Sequence, residues 1–229
     1  MNRLRRRLFA VLPACAFLLD AGCTTFAHRH DAPSYALVNK ATISLMQLAD
    51  GDEHPDLVSA LKGACAVLLF PGVEGMSVVV GGSAGNGVLL VKDPATAQWN
   101  GPAFYSLTRA GVGPQVGITS SEVVIVMRSC DALGALYADE SGLGLDAAAA
   151  LGSHGSGQGT SATRGMLAFS RVRGFYAGLS LDGWSLRAQP ALATDYYEQV
   201  LRPEDILVRR VAVNPAAAEL QHALELVTR

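Results

Sequence analysis

The chain has 229 residues, half of them apolar and 17% charged, with 18 Lys and Arg against 20 Asp and Glu for a net charge of −2. So large an apolar fraction excludes a disordered tail, and the lack of a basic surplus argues against a general nucleic-acid binder. No uninterrupted apolar run reaches the ~18–20 residues of a membrane-spanning helix, and the length predicts one domain or two small ones.

Arg3, Arg5, Arg6 and Arg7 precede the apolar stretch Leu8 to Leu19, the layout of a bacterial export signal. The stretch ends in Asp20-Ala21-Gly22-Cys23, which resembles the lipobox of bacterial lipoproteins, with Asp20 standing where Leu is usual. The rival Cys15 would leave an apolar segment of about five residues, below the ~7–15 of a working signal. Residues 1–22 are therefore read as a signal peptide, Cys23 as the lipidated residue at the head of a tether over 23–34, and 35–229 as the domain. An ordinary cleaved signal with a free thiol is the alternative. Removing residues 1–22 takes away four arginines and one aspartate, so the hold on a membrane falls to the acyl chains at ~0.8 kcal/mol per buried CH₂. Thr24 and Thr25 follow the cysteine with no Asp beside it. That predicts the bacterial outer membrane, with the domain facing the periplasm or the cell surface.

In the rest of the chain, Leu37, Val38, Ala41, Leu45 and Leu48 recur at helical spacing and predict an amphipathic helix over 35–48. A short helix over 56–62 stops at Gly63. Apolar and β-branched runs bounded by Gly or Pro follow at 64–70, 76–81, 87–92, 103–107, 114–119 and 122–128. Their connections are too short for parallel crossovers, so they predict an antiparallel meander, curled into a barrel- or sandwich-like sheet. A helix over 131–138 is capped by Ser129 or Asp131, and strands resume at 164–172, 175–181 and 184–187. Asn214 and Pro215 open a last helix whose stripe is Ala218, Leu220, Leu224 and Val227. The expected architecture is a single α+β domain with helices flanking the sheet at both ends.

Chemistry-bearing patterns are few. Gly81-Gly82-Ser83-Ala84-Gly85 fits G-x-S-x-G, but a nucleophile elbow joins a strand to a helix. Here the motif lies between two apolar runs, and hairpin glycines account for it. A serine hydrolase using Ser83 is the remote reading. Gly111-Val112-Gly113 and the glycine-rich run 152–159 lack the partners of a phosphate cradle, and Glu122 and Asp146 show no paired acid–base spacing. His28 and His30 fall in the tether, and no Cys/His spacing suggests zinc. An oxidising compartment makes a Cys65–Cys130 disulfide conceivable. The apolar run around Cys65 favours two unpaired, buried thiols instead. The expectation is a protein without cofactor or metal and without catalytic activity.

A further series of motifs runs in order along the chain. It begins with Leu61-Lys62-Gly63-Ala64-Cys65-Ala66-Val67-Leu68-Leu69-Phe70-Pro71 and continues through Gly87-Val88-Leu89-Leu90, Trp99-Asn100-Gly101-Pro102-Ala103-Phe104 and Gln115-Val116-Gly117. Ser170-Arg171-Val172-Arg173-Gly174-Phe175-Tyr176-Ala177-Gly178, Tyr196-Tyr197 and Pro203-Glu204-Asp205-Ile206-Leu207 complete it. This series, over roughly 35–210, resembles the SYLF lipid-binding domain family. Thr108-Arg109-Ala110 replaces a stretch where that family usually runs through glycines, and Glu198 replaces a common glycine after the tyrosine pair. The resemblance implies binding of phosphoinositides and related anionic lipids, actin binding in some members, and for bacterial members an exported lipoprotein. Arg171 and Arg173, two apart on a strand, with Arg164 just upstream, are the candidate headgroup contacts, because guanidinium forks match phosphate oxygens. The plainer reading is that they solvate a sheet face. Membrane phospholipid is the expected partner; a second envelope protein, bound by a periplasmic scaffold, is the alternative.

Overall fold

The computed structural model describes residues 32–49, 55–131, 133–138, 143–144, 165–172, 175–179, 181 and 183–228. Helix α1, Pro33–Ala49, buries Tyr35, Val38, Ala41, Leu45 and Leu48 on one face, the stripe expected from its periodicity. Helix α2, Pro55–Lys62, opens on proline, carries Asp56 in its first turn and Lys62 in its last, and buries Leu57, Ala60 and Leu61. Both end charges oppose the helix dipole.

The six short runs expected between 64 and 128 are two long strands, β1 over Ala66–Lys92 and β2 over Trp99–Met127. They pair antiparallel throughout, from Ala66 opposite Met127 to Lys92 opposite Trp99. The glycines read as turns are ribbon instead: Gly81 faces Gly111, Gly82 faces Ala110 and Ser83 faces Arg109. The turn between the strands is at 93–98, where Asp93 Oδ1 accepts the Ala95 N–H at 2.8 Å and the Thr96 N–H at 3.3 Å.

The ribbon then doubles back on itself. Lys92 N–H donates to the Cys65 carbonyl at 2.8 Å. A Cβ on Gly87 would strike the Leu69 carbonyl and the Phe70 ring, and one on Gly85 would strike the Gly72 carbonyl. These approaches are symmetric about residues 78 and 79, where the pairing with β2 slips from Val78–Val116 to Val79–Gly113. A register slip of this kind bends a ribbon. The bend brings the apolar stretches 66–70 and 88–90 together in the core.

On the other edge of β2, β4 (Met166–Val172) pairs with residues 122–127 and β6 (Trp184–Ala188) with residues 105–109. β5 (Phe175–Gly178) extends β4, and β3 (Leu143–Gly144) extends β6. The result is one antiparallel, open sheet of six strands, in the order β3-β6-β2-β4-β5 with β1 on β2. Helix α3 covers Leu133–Ala138, and Ser129 Oγ accepts the Asp131 N–H before it at 3.2 Å.

Three helical pieces follow β6: α4, Pro190–Tyr197; α5, Pro203–Leu207; and, after a 3₁₀ turn at Pro215–Ala217, α6, Ala218–Thr228. Asn214 caps the last of these, its Oδ1 accepting the Ala216 N–H at 3.0 Å. Its amide also donates to the Tyr196 carbonyl at 2.7 Å and the Tyr35 hydroxyl at 3.0 Å, tying α1, α4 and α6 together. The α+β domain with helices at both ends is the architecture expected. No described helix is long and apolar enough to cross a membrane.

The cysteines depart from expectation. Cys65 and Cys130 form a disulfide, their Cα atoms 5.7 Å apart. Each lies just outside the ribbon, before β1 and after β2, and the register sets those two ends side by side: Cys65 N–H donates to the Met127 carbonyl at 2.7 Å. The apolar run around Cys65 concealed this, because Ala64 and the residues from Ala66 onward are buried while Cys65 itself is only half-buried.

Candidate functional site

The motif Trp99 to Phe104 is where the C-terminal helices dock. Asn100, buried, donates to the Leu207 carbonyl at 3.4 Å. The Gly101 carbonyl accepts from Gln221 at 3.0 Å, and the Pro102 carbonyl accepts from the Tyr197 hydroxyl at 2.9 Å. Phe104 meets Tyr196 edge-on at 5.3 Å, and Tyr196 packs on Tyr35 at 4.8 Å. Burial pushes both tyrosine hydroxyls of the pair above the ordinary phenol range. The tyrosine pair is thus a structural clasp between α4 and β2.

Glu198, immediately after, sits at φ 57°, ψ 22° as the left-handed cap of α4, its N–H donating to the Thr194 carbonyl. Left-handed backbone disfavours a Cβ, which explains why glycine suits this place. Glu198→Gly is expected to raise the unfolding free energy by roughly 0.5–1 kcal/mol. Thermal melting checks this, and an unchanged or lower midpoint contradicts it.

With the helices so placed, an open cleft of ≈530 Å³ lies between the start of β2, α3, α4 and α5. Its floor is apolar: Ala103, Phe104, Ala188, Ala193, Leu201 and Ile206. Gln189, Tyr137, Arg202 and Glu204 supply its polar atoms. Burial, reinforced by the Glu204 charge, pushes Tyr137 up to about 12, so it lines the cleft as a neutral phenol.

Arg202 and Glu204 at the rim belong to an ion-pair lattice that continues outside the cleft. Asp205 accepts the Arg202 backbone N–H at 3.1 Å, capping α5. Arg209 reaches Glu204 and Asp205 at 3.1 Å each, and Arg202 Nε lies 3.5 Å from Asp205. The Arg202 N–H bond first, then the Arg202 and Arg209 charges, hold the Asp205 carboxyl below its usual 3.8. A lowered folded value contributes stability that is present above the unfolded value and lost as pH falls through the folded one. Asp205→Asn is therefore expected to lower the melting midpoint at about pH 7 and to leave it nearly unchanged at about pH 2. An equal effect at both would contradict this role.

Beyond α5 the chain presents Val208, Arg209, Arg210, Val211 and Val213, with the three valines 56–74% exposed; Val200, at the cleft, is 87% exposed. Ile206 borders both the cleft and this loop, through a second hollow of ≈180 Å³. The sequence reading passed over this region; its one signal was the unpatterned run Val208-Arg209-Arg210-Val211-Ala212-Val213.

Of the residues singled out from sequence, Arg171 lies on β4, 3.1 Å from Glu122 on β2 and 3.0 Å from Gln47 on α1. It therefore ties sheet to helix. Cys23, Arg164, Arg173, His28, His30, Asp146 and the run 152–159 fall outside the described residues. Ser83 lies within β1 opposite Arg109, with no strand-to-helix turn to form an elbow. Among the described residues, no group of three or more His, Cys, Asp or Glu could hold a metal ion.

This sheet, clasped by paired tyrosines and C-terminal helices, defines a small α+β domain of the SYLF type. Residues 108–227 match the family model of Ysc84, described as Las17-binding protein actin regulator, and the chain belongs to that family. It is 25% identical over 191 residues to LAS seventeen-binding protein 3 of Saccharomyces cerevisiae, covering 77% of this chain and 39% of that one. It is 27% identical over 158 residues to Protein YSC84 of the same yeast (63% and 32%). It is 28% identical over 149 residues to SH3 domain-containing YSC84-like protein 1 of Bos taurus (63% and 43%). The chain thus spans about two-fifths of the length of the first of these relatives. No solved structure matches it.

Proposed function

We propose that the protein is a non-enzymatic lipid-binding module of the bacterial envelope, tethered through an acylated Cys23 and meeting anionic phospholipid with its C-terminal face. The observation that carries this is the exposed loop 208–213, where Val208, Val211 and Val213 stand in solvent beside Arg209 and Arg210. Exposed apolar groups beside arginines suit a membrane interface: the valines enter the headgroup layer, while Arg209, paired with Glu204 and Asp205, and Arg210, 3.9 Å from Asp93, would exchange these carboxylates for phosphates. The disulfide supports an oxidising compartment and hence export. Arg164 and Arg173 are kept as additional headgroup contacts.

The relatives' names point to protein partners, Las17 among them, so the second reading is a scaffold that uses the same valines against another envelope protein. Vesicle flotation of residues 24–229, without the leader and the cysteine, separates the two. Adding Val211→Asp with Val213→Asp is expected to reduce the vesicle-bound fraction at least fivefold with little change in melting. Undiminished flotation of the double variant would remove the loop from the membrane contact.

A further inference from the structure

The cleft beside this loop has a different lining from the loop itself. We propose that it holds one acyl chain of a zwitterionic phospholipid drawn from the bilayer, with the headgroup at Arg202 and Glu204. The proposal rests on the lipid-binding reading above and adds a second, zwitterionic ligand to the anionic surface which that reading invokes.

Three observations converge. The floor from Ala103 and Phe104 to Leu201 and Ile206 is predominantly apolar and suits a hydrocarbon chain, with Gln189 and Tyr137 as polar side chains beside it. The volume, ≈530 Å³, lies within the range of small-molecule sites, and at ~30 Å³ for a group the size of a water it accommodates one long chain and not two. The rim is neutral but polarised: Arg202, paired with Asp205, stands beside Glu204, paired with Arg209. A free fatty acid brings only a carboxylate, which meets Arg202 but leaves Glu204 without a cationic partner from the ligand. A headgroup carrying both phosphate and ammonium finds a partner for each, phosphate on Arg202 and ammonium on Glu204. Val200, 87% exposed at the rim, extends the apolar surface out to where a chain would enter.

The fold also offers a way to block the cleft. Gly134 on α3 lines it, and a Cβ built there meets nothing within 4 Å, so Gly134→Trp can fill the space without a backbone collision. The full chain with Cys23→Ala is incubated with vesicles of phosphatidylcholine and phosphatidylethanolamine and separated from them, and its bound lipid is measured by mass spectrometry after solvent extraction. About one phospholipid per chain is expected, falling at least tenfold in Gly134→Trp, while that variant still floats with anionic vesicles. Should Gly134→Trp melt early, Arg202→Glu at the exposed rim is expected to produce a similar loss. Retention of lipid by every correctly melting variant overturns the proposal, as does uptake of palmitate equal to that of phosphatidylethanolamine. A parent that floats but carries no phospholipid refutes the cleft alone. A parent that carries phospholipid but does not float refutes the surface reading alone.

Discussion

Replacing Cys65 with serine in the Cys23→Ala chain is expected to lower the unfolding free energy by about 4 kcal/mol, the range for closing a loop of this length. The bridge spans a sequence separation of 65 and encloses the whole β1–β2 ribbon. Opening it enlarges the unfolded ensemble and releases the two ends that the register brings together. The effect extends toward the cleft. The Cys130 carbonyl accepts the N–H of Leu133, the first residue of α3, at 3.0 Å, and the Leu136 carbonyl in the same helix accepts the Tyr105 hydroxyl at 3.1 Å. Denaturant melting with and without dithiothreitol reads the loss. A reduced protein as stable as the oxidised one would contradict it.

Gly87→Ala is expected to cost about 3 kcal/mol or more, the upper range for forcing atoms into a packed core. Its Cβ would meet the Leu69 carbonyl and the Phe70 ring, both in the buried first half of β1. Neither a backbone oxygen nor a ring held on all sides can withdraw. Gly72→Ala is the internal control, because a Cβ there meets nothing within 4 Å. That change is expected to stay within about 0.5 kcal/mol. Equal costs for the two would mean that the ribbon does not fold back on itself.

Much of this architecture is local and could be read directly. The stripe from Val38 to Leu48 and the Asn214-Pro215 opening are one-element signals, and each yields its helix within about two residues. The six β runs were seen, but their continuity was not. A glycine pair such as Gly81–Gly111 looks like two turns in sequence, and only the register shows it to be two strands crossing opposite each other. The same non-local register decides the disulfide, which depends on where the ribbon and turn carry residues 65 and 130, a sequence separation of 65. Helix α5, at five residues, is too short for periodicity to reveal, and α4 shows only Ala193, Tyr196 and Tyr197 on its buried face. Their positions come from contacts to Trp99–Phe104 far along the chain. The family motifs were legible, yet they mark the clasp that builds the cleft more than the groups that line its mouth. Arg202 and the exposed valines carry no motif.

Lipid binding by the folded domain without its anchor is the central expectation. Flotation of residues 24–229, mixed at low ionic strength with vesicles containing phosphatidylglycerol, is expected to carry the protein to the top of the gradient, with less bound as salt screens the arginines. Protein left at the bottom under those conditions would contradict lipid binding by the domain and favour a protein partner in its place.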